Sequence, residues 1–157
     1  MTATAHALVA GAIAAHFQNP AFAVPIALTS HYIMDSIPHW DFGTNWRNRP
    51  KQQTGILAIT ETLTGIGIAF AFYHSLVAFP LLAITISASL LPDWLETPWY
   101  ILYANAKKHS PTPKAGIGEK IAYGLYKIPN IFHAKAAFPI GVYTQLVTVI
   151  FFLLVLR

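Results

Sequence analysis

All but one of the basic residues fall in two stretches of this 157-residue chain, and apolar runs fill the space around them. Arg47, Arg49 and Lys51 form one group; Lys107, Lys108, Lys114, Lys120, Lys127 and Lys135 form the other; Arg157 alone lies elsewhere. Five apolar segments emerge, 3–18, 21–37, 54–73, 76–92 and 132–156. A full membrane crossing takes about 20 residues, so the first two are short. Gln18-Asn19-Pro20 between them signals the turn of a helical hairpin. Ala3, Ala7, Gly11 and Ala15 form a small-residue stripe that lets helices approach closely. Only 10% of the residues are charged, against about 25% in a soluble domain. The expected fold is therefore all-α: a polytopic membrane helical bundle of about five segments, in one integral-membrane domain spanning 1–157.

Charge placement gives an expected orientation. By the positive-inside rule, 42–53 and 93–131 are cytoplasmic loops, the N-terminus is cytoplasmic and the C-terminus outside. A bacterial inner (cytoplasmic) membrane protein is the implied localisation. Residues 117–128 read as an amphipathic helix lying on the membrane surface, with Trp99, Tyr100 and Tyr103 in the interfacial belt. The first apolar stretch lacks the basic leader of a secretory signal and reads as a retained helix. The net charge of +4 is explained by the loops, so nucleic acid is not an expected partner. The absence of Cys excludes disulfides and thiolate metal sites. Any metal must be held by nitrogen and oxygen.

Residues 31–41 read His-Tyr-Ile-Met-Asp-Ser-Ile-Pro-His-Trp-Asp. His31 and Asp35 are i, i+4 and share a helix face. Pro38 should end that helix, leaving His39 and Asp41 at its mouth. With about 1.5 Å of rise per residue, His31 lies roughly 9 Å inside the cytoplasmic end. The same depth argument brings in His6 at the start of the first helix, Glu61 two turns into the third, Asp93 at the exit of the fourth and His133 at the start of the fifth. Isolated intramembrane carboxylates cost several kcal/mol, so such a cluster is best explained by a shared cation. Each residue also has a plainer reading: His31 with Asp35 as an interhelical hydrogen-bonded pair, Asp93 as a helix cap, Glu96 as an interfacial acid, Gln145 and Tyr143 as helix–helix contacts. His16, His74 and His109 read as surface residues.

The His6 segment Ala-His-Ala-Leu-Val-Ala-Gly, the Ser30-His31-Tyr32-Ile33-Met34-Asp35 run and Leu91-Pro92-Asp93 resemble the YdjM-type family of small bacterial inner-membrane proteins, described as membrane-bound metal-dependent hydrolases. A closer likeness is to uncharacterised small bacterial proteins carrying a His-x-x-x-Asp-x-x-Pro-His-x-Asp segment, which also have a Leu-Pro-Asp helix end and a late His, matched by His133. The order of the elements differs from the YdjM type, the Pro-Asp element here following the Ser-His…Asp helix. The resemblance implies a metal-dependent hydrolase.

From the residues themselves, His6, His31, Asp35, His39, Asp41, Asp93 and His133 are the expected ligands of one or two divalent ions, zinc first, manganese or iron otherwise. Glu61 and Asp93 are the expected catalytic carboxylates, Glu61 as general base. Arg47, Arg49 and Lys51 are placed to hold a substrate phosphate. The expected partners are membrane lipids and a lipid or phosphorylated substrate, a phosphoester or pyrophosphate; a homo-oligomer is left open. Two other classes stay in view: a metal-ion or proton transporter or channel, and a non-catalytic membrane assembly protein with a structural polar cluster.

Overall fold

The computed structural model describes residues 1–42, 46–105 and 107–157. Six helices build the fold, α1 Ala3–Phe17, α2 Pro20–Asp35, α3 Lys51–Tyr73, α4 Phe79–Pro98, α5 Ile117–Phe132 and α6 Ile140–Val155, and among the described residues there is no β-strand. The chain is all-α.

α1 is the hub, packing on α2, α3, α4 and α6. Its small side chains explain this: Ala5, Ala7, Ala10, Gly11 and Ala14 let neighbours close in on every side, and a helix apolar all round belongs inside. α1 and α3 approach closely at Gly65 of α3, where an added Cβ would lie 2.8 Å from Thr4 Cα. The hairpin turn falls at Gln18, in the left-handed region at φ 35°. Asn19 caps α2 by accepting from the Ala21 amide at 2.9 Å, and Pro20 fits the first turn, where its missing N–H would be unpaired anyway.

α3, with 23 residues, is the one helix among the described residues long and apolar enough to cross a membrane. α4 runs further than its sequence pattern suggests. Pro92 does not end it; the helix continues to Pro98 and closes in a π-type turn over Trp99–Tyr103. Asp93 therefore lies within α4, not at its exit. α5 covers the expected surface helix and extends it to Phe132. It packs Ala122 on the aromatic group of Trp99, Tyr100, Tyr103, Tyr123 and Tyr126.

The last apolar segment divides. Residues 140–155 are helical, but the stretch before them is extended and lies parallel to the chain leaving α2. Ala134 N donates to the Asp35 carbonyl at 2.8 Å, His39 N to Ala134 at 3.2 Å, and Ala136 N to His39 at 2.8 Å. The helix expected from residue 132 onward thus begins at Ile140. The backbone groups freed by Pro38 and Pro139 are partly satisfied by this pairing, which no local pattern announces. Gly141 allows the close approach, since a Cβ there would meet Trp40 N at 2.5 Å.

Candidate metal centre

One end of the bundle gathers the first turns of α1, the last turns of α2 and α4, and the paired segments around His39 and His133. Asp35 sits at the middle, 1% exposed. Its Oδ1 lies 3.1 Å from His6 Nε2 and 3.7 Å from His39 Nε2. Its Oδ2 lies 3.4 Å from His31 Nε2 and 3.6 Å from His133 Nδ1. Four imidazoles from four stretches of chain thus face one carboxylate, which also contacts the Met1 ammonium.

Two sets of three residues present ligand atoms within 4.8 Å of one another: His6, His31 and Asp93, and Asp35, His39 and His133. Either could hold a metal ion. A donor set of imidazole nitrogens and carboxylate oxygens, with bond lengths near 2.0–2.2 Å, suits zinc and similar borderline ions. Hydrogen bonding supports the fit. Buried His6 Nδ1, His31 Nε2 and Asp35 Oδ2 find no hydrogen-bond partner, and each such orphan costs about 1–3 kcal/mol unless something else satisfies it.

The tautomers can be assigned from partners that only accept. His39 Nδ1 donates to the Ile37 carbonyl at 2.8 Å, so Nε2 carries the lone pair that points inward. His133 Nε2 donates to Asp41 Oδ2 at 2.8 Å, leaving Nδ1 as the lone pair on the side of Asp35. Asp41 belongs to neither set of three; it orients His133, as a carboxylate behind a metal-bound imidazole does. Lys135 Nζ stands 3.3 Å from the same Asp41 oxygen. Burial alone would raise the Asp41 carboxyl, but the hydrogen bond from His133 and the Lys135 charge hold it well below the ordinary range. Burial lowers His133, against the pull of Asp41 and Asp35. His6 and His31 stack with centroids 4.1 Å apart, fixing both rings.

A cavity of about 160 Å³ opens beside the cluster, with Asp41, Glu61, Asp93, Glu96 and His133 on its wall. Asp93 is the partly exposed member, its Oδ1 3.6 Å from His31 Nε2. Glu61 faces the cavity and also caps α1, accepting from the Ala3 amide at 2.6 Å. Gln145 Oε1 accepts from Thr2 N at 3.0 Å, a helix–helix contact. Arg49 lines the cavity and donates to the Phe42 carbonyl at 3.0 Å. Lys51 turns away, its Nζ donating to the Ile101 carbonyl at 2.7 Å. The Arg47 side chain lies outside the described part of the structure.

Glu96 and Lys135 were not among the expected site residues. Glu96 is buried, accepts from Asn130 Nδ2 at 3.1 Å and is bonded by the Tyr100 hydroxyl. It follows Asp93 by three residues on one helix face. Lys135 follows His133 by two in extended chain, hence on the same side. No protein-family model, curated protein or solved structure matches the chain.

Proposed function

We propose that this is a polytopic membrane protein of the bacterial inner membrane whose dinuclear metal centre hydrolyses a lipid phosphoester or pyrophosphate at the cytoplasmic leaflet. The observation that carries the reading is Asp35, a buried carboxylate faced by His6, His31, His39 and His133 with orphaned polar atoms around it. His6, His31 and Asp93 would hold one ion, Asp35, His39 and His133 the other, with Asp35 between the two sets. Zinc is the favoured metal, manganese or iron the alternatives. The likeness of the short motifs to YdjM-type proteins points the same way.

Bound there, a divalent ion lowers the pKa of water toward about 7 and polarises a phosphoryl oxygen. The protein's own groups supply the rest. Glu61, on the cavity wall but in neither ligand set, takes the proton of the attacking water. The water oxygen adds to phosphorus, the P–O bond to the leaving group breaks, and the proton passes to the departing oxygen. Arg49 offsets the charge of the phosphate. The membrane reading is supported by apolar side chains turned outward on four helices, among them Leu63 and Phe72 of α3, Phe79 and Ile84 of α4, Ile117 of α5, and Ile140 and Phe151 of α6. Transport is the weaker reading, because the core beyond the cluster is mainly apolar, with Ala7, Ala10, Ile13, Ala14, Leu82 and Ile86, and the buried Thr85 hydroxyl there is bonded to the Leu81 carbonyl.

The test is phosphate release from lysophosphatidic acid and from a prenyl pyrophosphate by purified protein with added zinc or manganese. Release that needs the metal and disappears in His31→Ala is expected. A folded, metal-loaded protein that releases phosphate from neither would overturn the hydrolase reading.

A further inference from the structure

A second cavity, about 350 Å³, lies between α3 and α4 and is lined by Pro50, Gly55, Ile59, Ile101 and Ala104, among others. Its size falls within the range of about 300–1,000 Å³ typical of small-molecule sites. It shares Arg49, Ala58, Trp94, Thr97 and Tyr100, among others, with the cavity beside the His/Asp cluster. The two spaces are thus neighbours across one wall, and they differ in chemistry. The first is edged by Asp41, Glu61, Asp93 and His133; the second mainly by aromatic, aliphatic and small residues, with Lys51 on its wall holding its ammonium to the Ile101 carbonyl. The helices explain the gap. α3 packs on α1 and α4 packs on α1 and α2, while α3 and α4 meet only sparsely. Around the gap α3 turns Ile56, Leu57 and Ile59 outward, so an apolar cavity borders an apolar exterior.

We propose that the α3–α4 cavity holds the single hydrocarbon chain of an anionic amphiphile, whose phosphoryl head passes Arg49 into the cavity beside the metal ligands. The phosphate identity of the head rests on the function proposed above. The chain site rests on the second cavity. Adjacency to the polar cavity identifies the occupant: a ligand that reaches both must be apolar at one end and bind cations at the other. Arg49, on the shared wall, sits where head and chain join and pairs with the negative charge. Gly55 leaves the chain its room, since a Cβ built there meets nothing within 4 Å. Gly55 and Ala58 are specificity-determining positions: Gly55 lines the second cavity and not the first, Ala58 lies on the shared wall, and a large side chain at either would fill the slot.

The test uses the full-length protein in phosphatidylcholine nanodiscs. The probe is lysophosphatidic acid brominated on its chain, and the comparator is monoacylglycerol with the same brominated chain and no phosphate. Bromine quenches nearby indole fluorescence, and Trp46 and Trp94 line the cavity. Stronger quenching by the phosphate lipid is expected in the wild type, weakened in Arg49→Gln and lost in Gly55→Phe. Equal quenching by both lipids in the wild type would overturn the proposal, as would an excess that survives in Gly55→Phe. If Gly55→Phe fails to fold by circular dichroism, Ala58→Leu takes its place with the same expectation. The readout is binding, so absence of turnover leaves it intact, and a negative result here leaves the hydrolase reading standing.

Discussion

Asp35 concentrates the chemistry of this molecule in one carboxylate. Replacing it with Asn keeps the shape and removes the charge and one acceptor oxygen. Since loss of a partner behind a ligand already weakens metal binding about 10–100-fold, Asp35→Asn should weaken it by at least that much, measured by competition with a chromophoric chelator. Lys135 makes the contrast. Its Nζ is 3.3 Å from Asp41, but its side chain is 43% exposed. Exposed ion pairs contribute less than about 1 kcal/mol, so Lys135→Met should leave metal content unchanged and lower stability by no more than that. The sequence pattern was informative wherever spacing is local. His31 and Asp35 share a face by their i, i+4 spacing, and Pro38 releases His39 and Asp41 at the helix mouth. Lys135 was hidden because residues 132–139 read as the start of an apolar helix, and only extended chain puts 133 and 135 on one side.

Helix contacts are set by small residues, and they give a paired prediction on α3. Gly65→Val adds atoms where even a Cβ would sit 2.8 Å from Thr4 Cα. Overpacking of this kind costs about 1–3 kcal/mol. The thermal midpoint should fall, and the Glu61 contact with the Ala3 amide should be strained with it. Gly67→Ala meets nothing within 4 Å. It should be neutral or stabilising by up to about 1 kcal/mol, since Ala is the better helix former. A drop in midpoint as large as that of Gly65→Val would contradict the packing described. Helix limits were legible at Gln18-Asn19-Pro20 and at the start of α5, where turn and cap chemistry is local. They were not legible at Pro92. Proline removes one hydrogen bond, to the carbonyl four residues back, and the packing of α4 on α1 and α2 outweighs it. The segment before α6 is decided by bonds to residues 35–39, nearly a hundred residues away, which no periodicity encodes.

The gathering of His6, Asp35, Asp93 and His133 at one end follows from helices that alternate in direction, each bringing its polar turn to the same end. On the proposed topology α1, α2, α3, α4 and α6 cross the membrane and α5 lies on its surface, so the termini face opposite sides. The chain has no Cys, which makes single-cysteine reporters clean. Ser110→Cys should react with an impermeant maleimide only in inverted vesicles, and Arg157→Cys only in intact cells. Labelling of both from one side would require an even number of crossings. Because the proposed ligands come from α1, α2, α4 and both extended segments, a bound ion would tie most of the molecule together. Chelation should lower the thermal midpoint; an ion at 100 times its Kd contributes about 2.7 kcal/mol. The most direct measurement is elemental analysis of the detergent-purified protein beside Asp35→Asn. About two equivalents of a divalent ion per chain, the content of a dinuclear site, and their loss in the variant are predicted. A folded wild-type protein that carries no stoichiometric metal and takes up none of the added zinc, manganese or iron would contradict the metal centre itself.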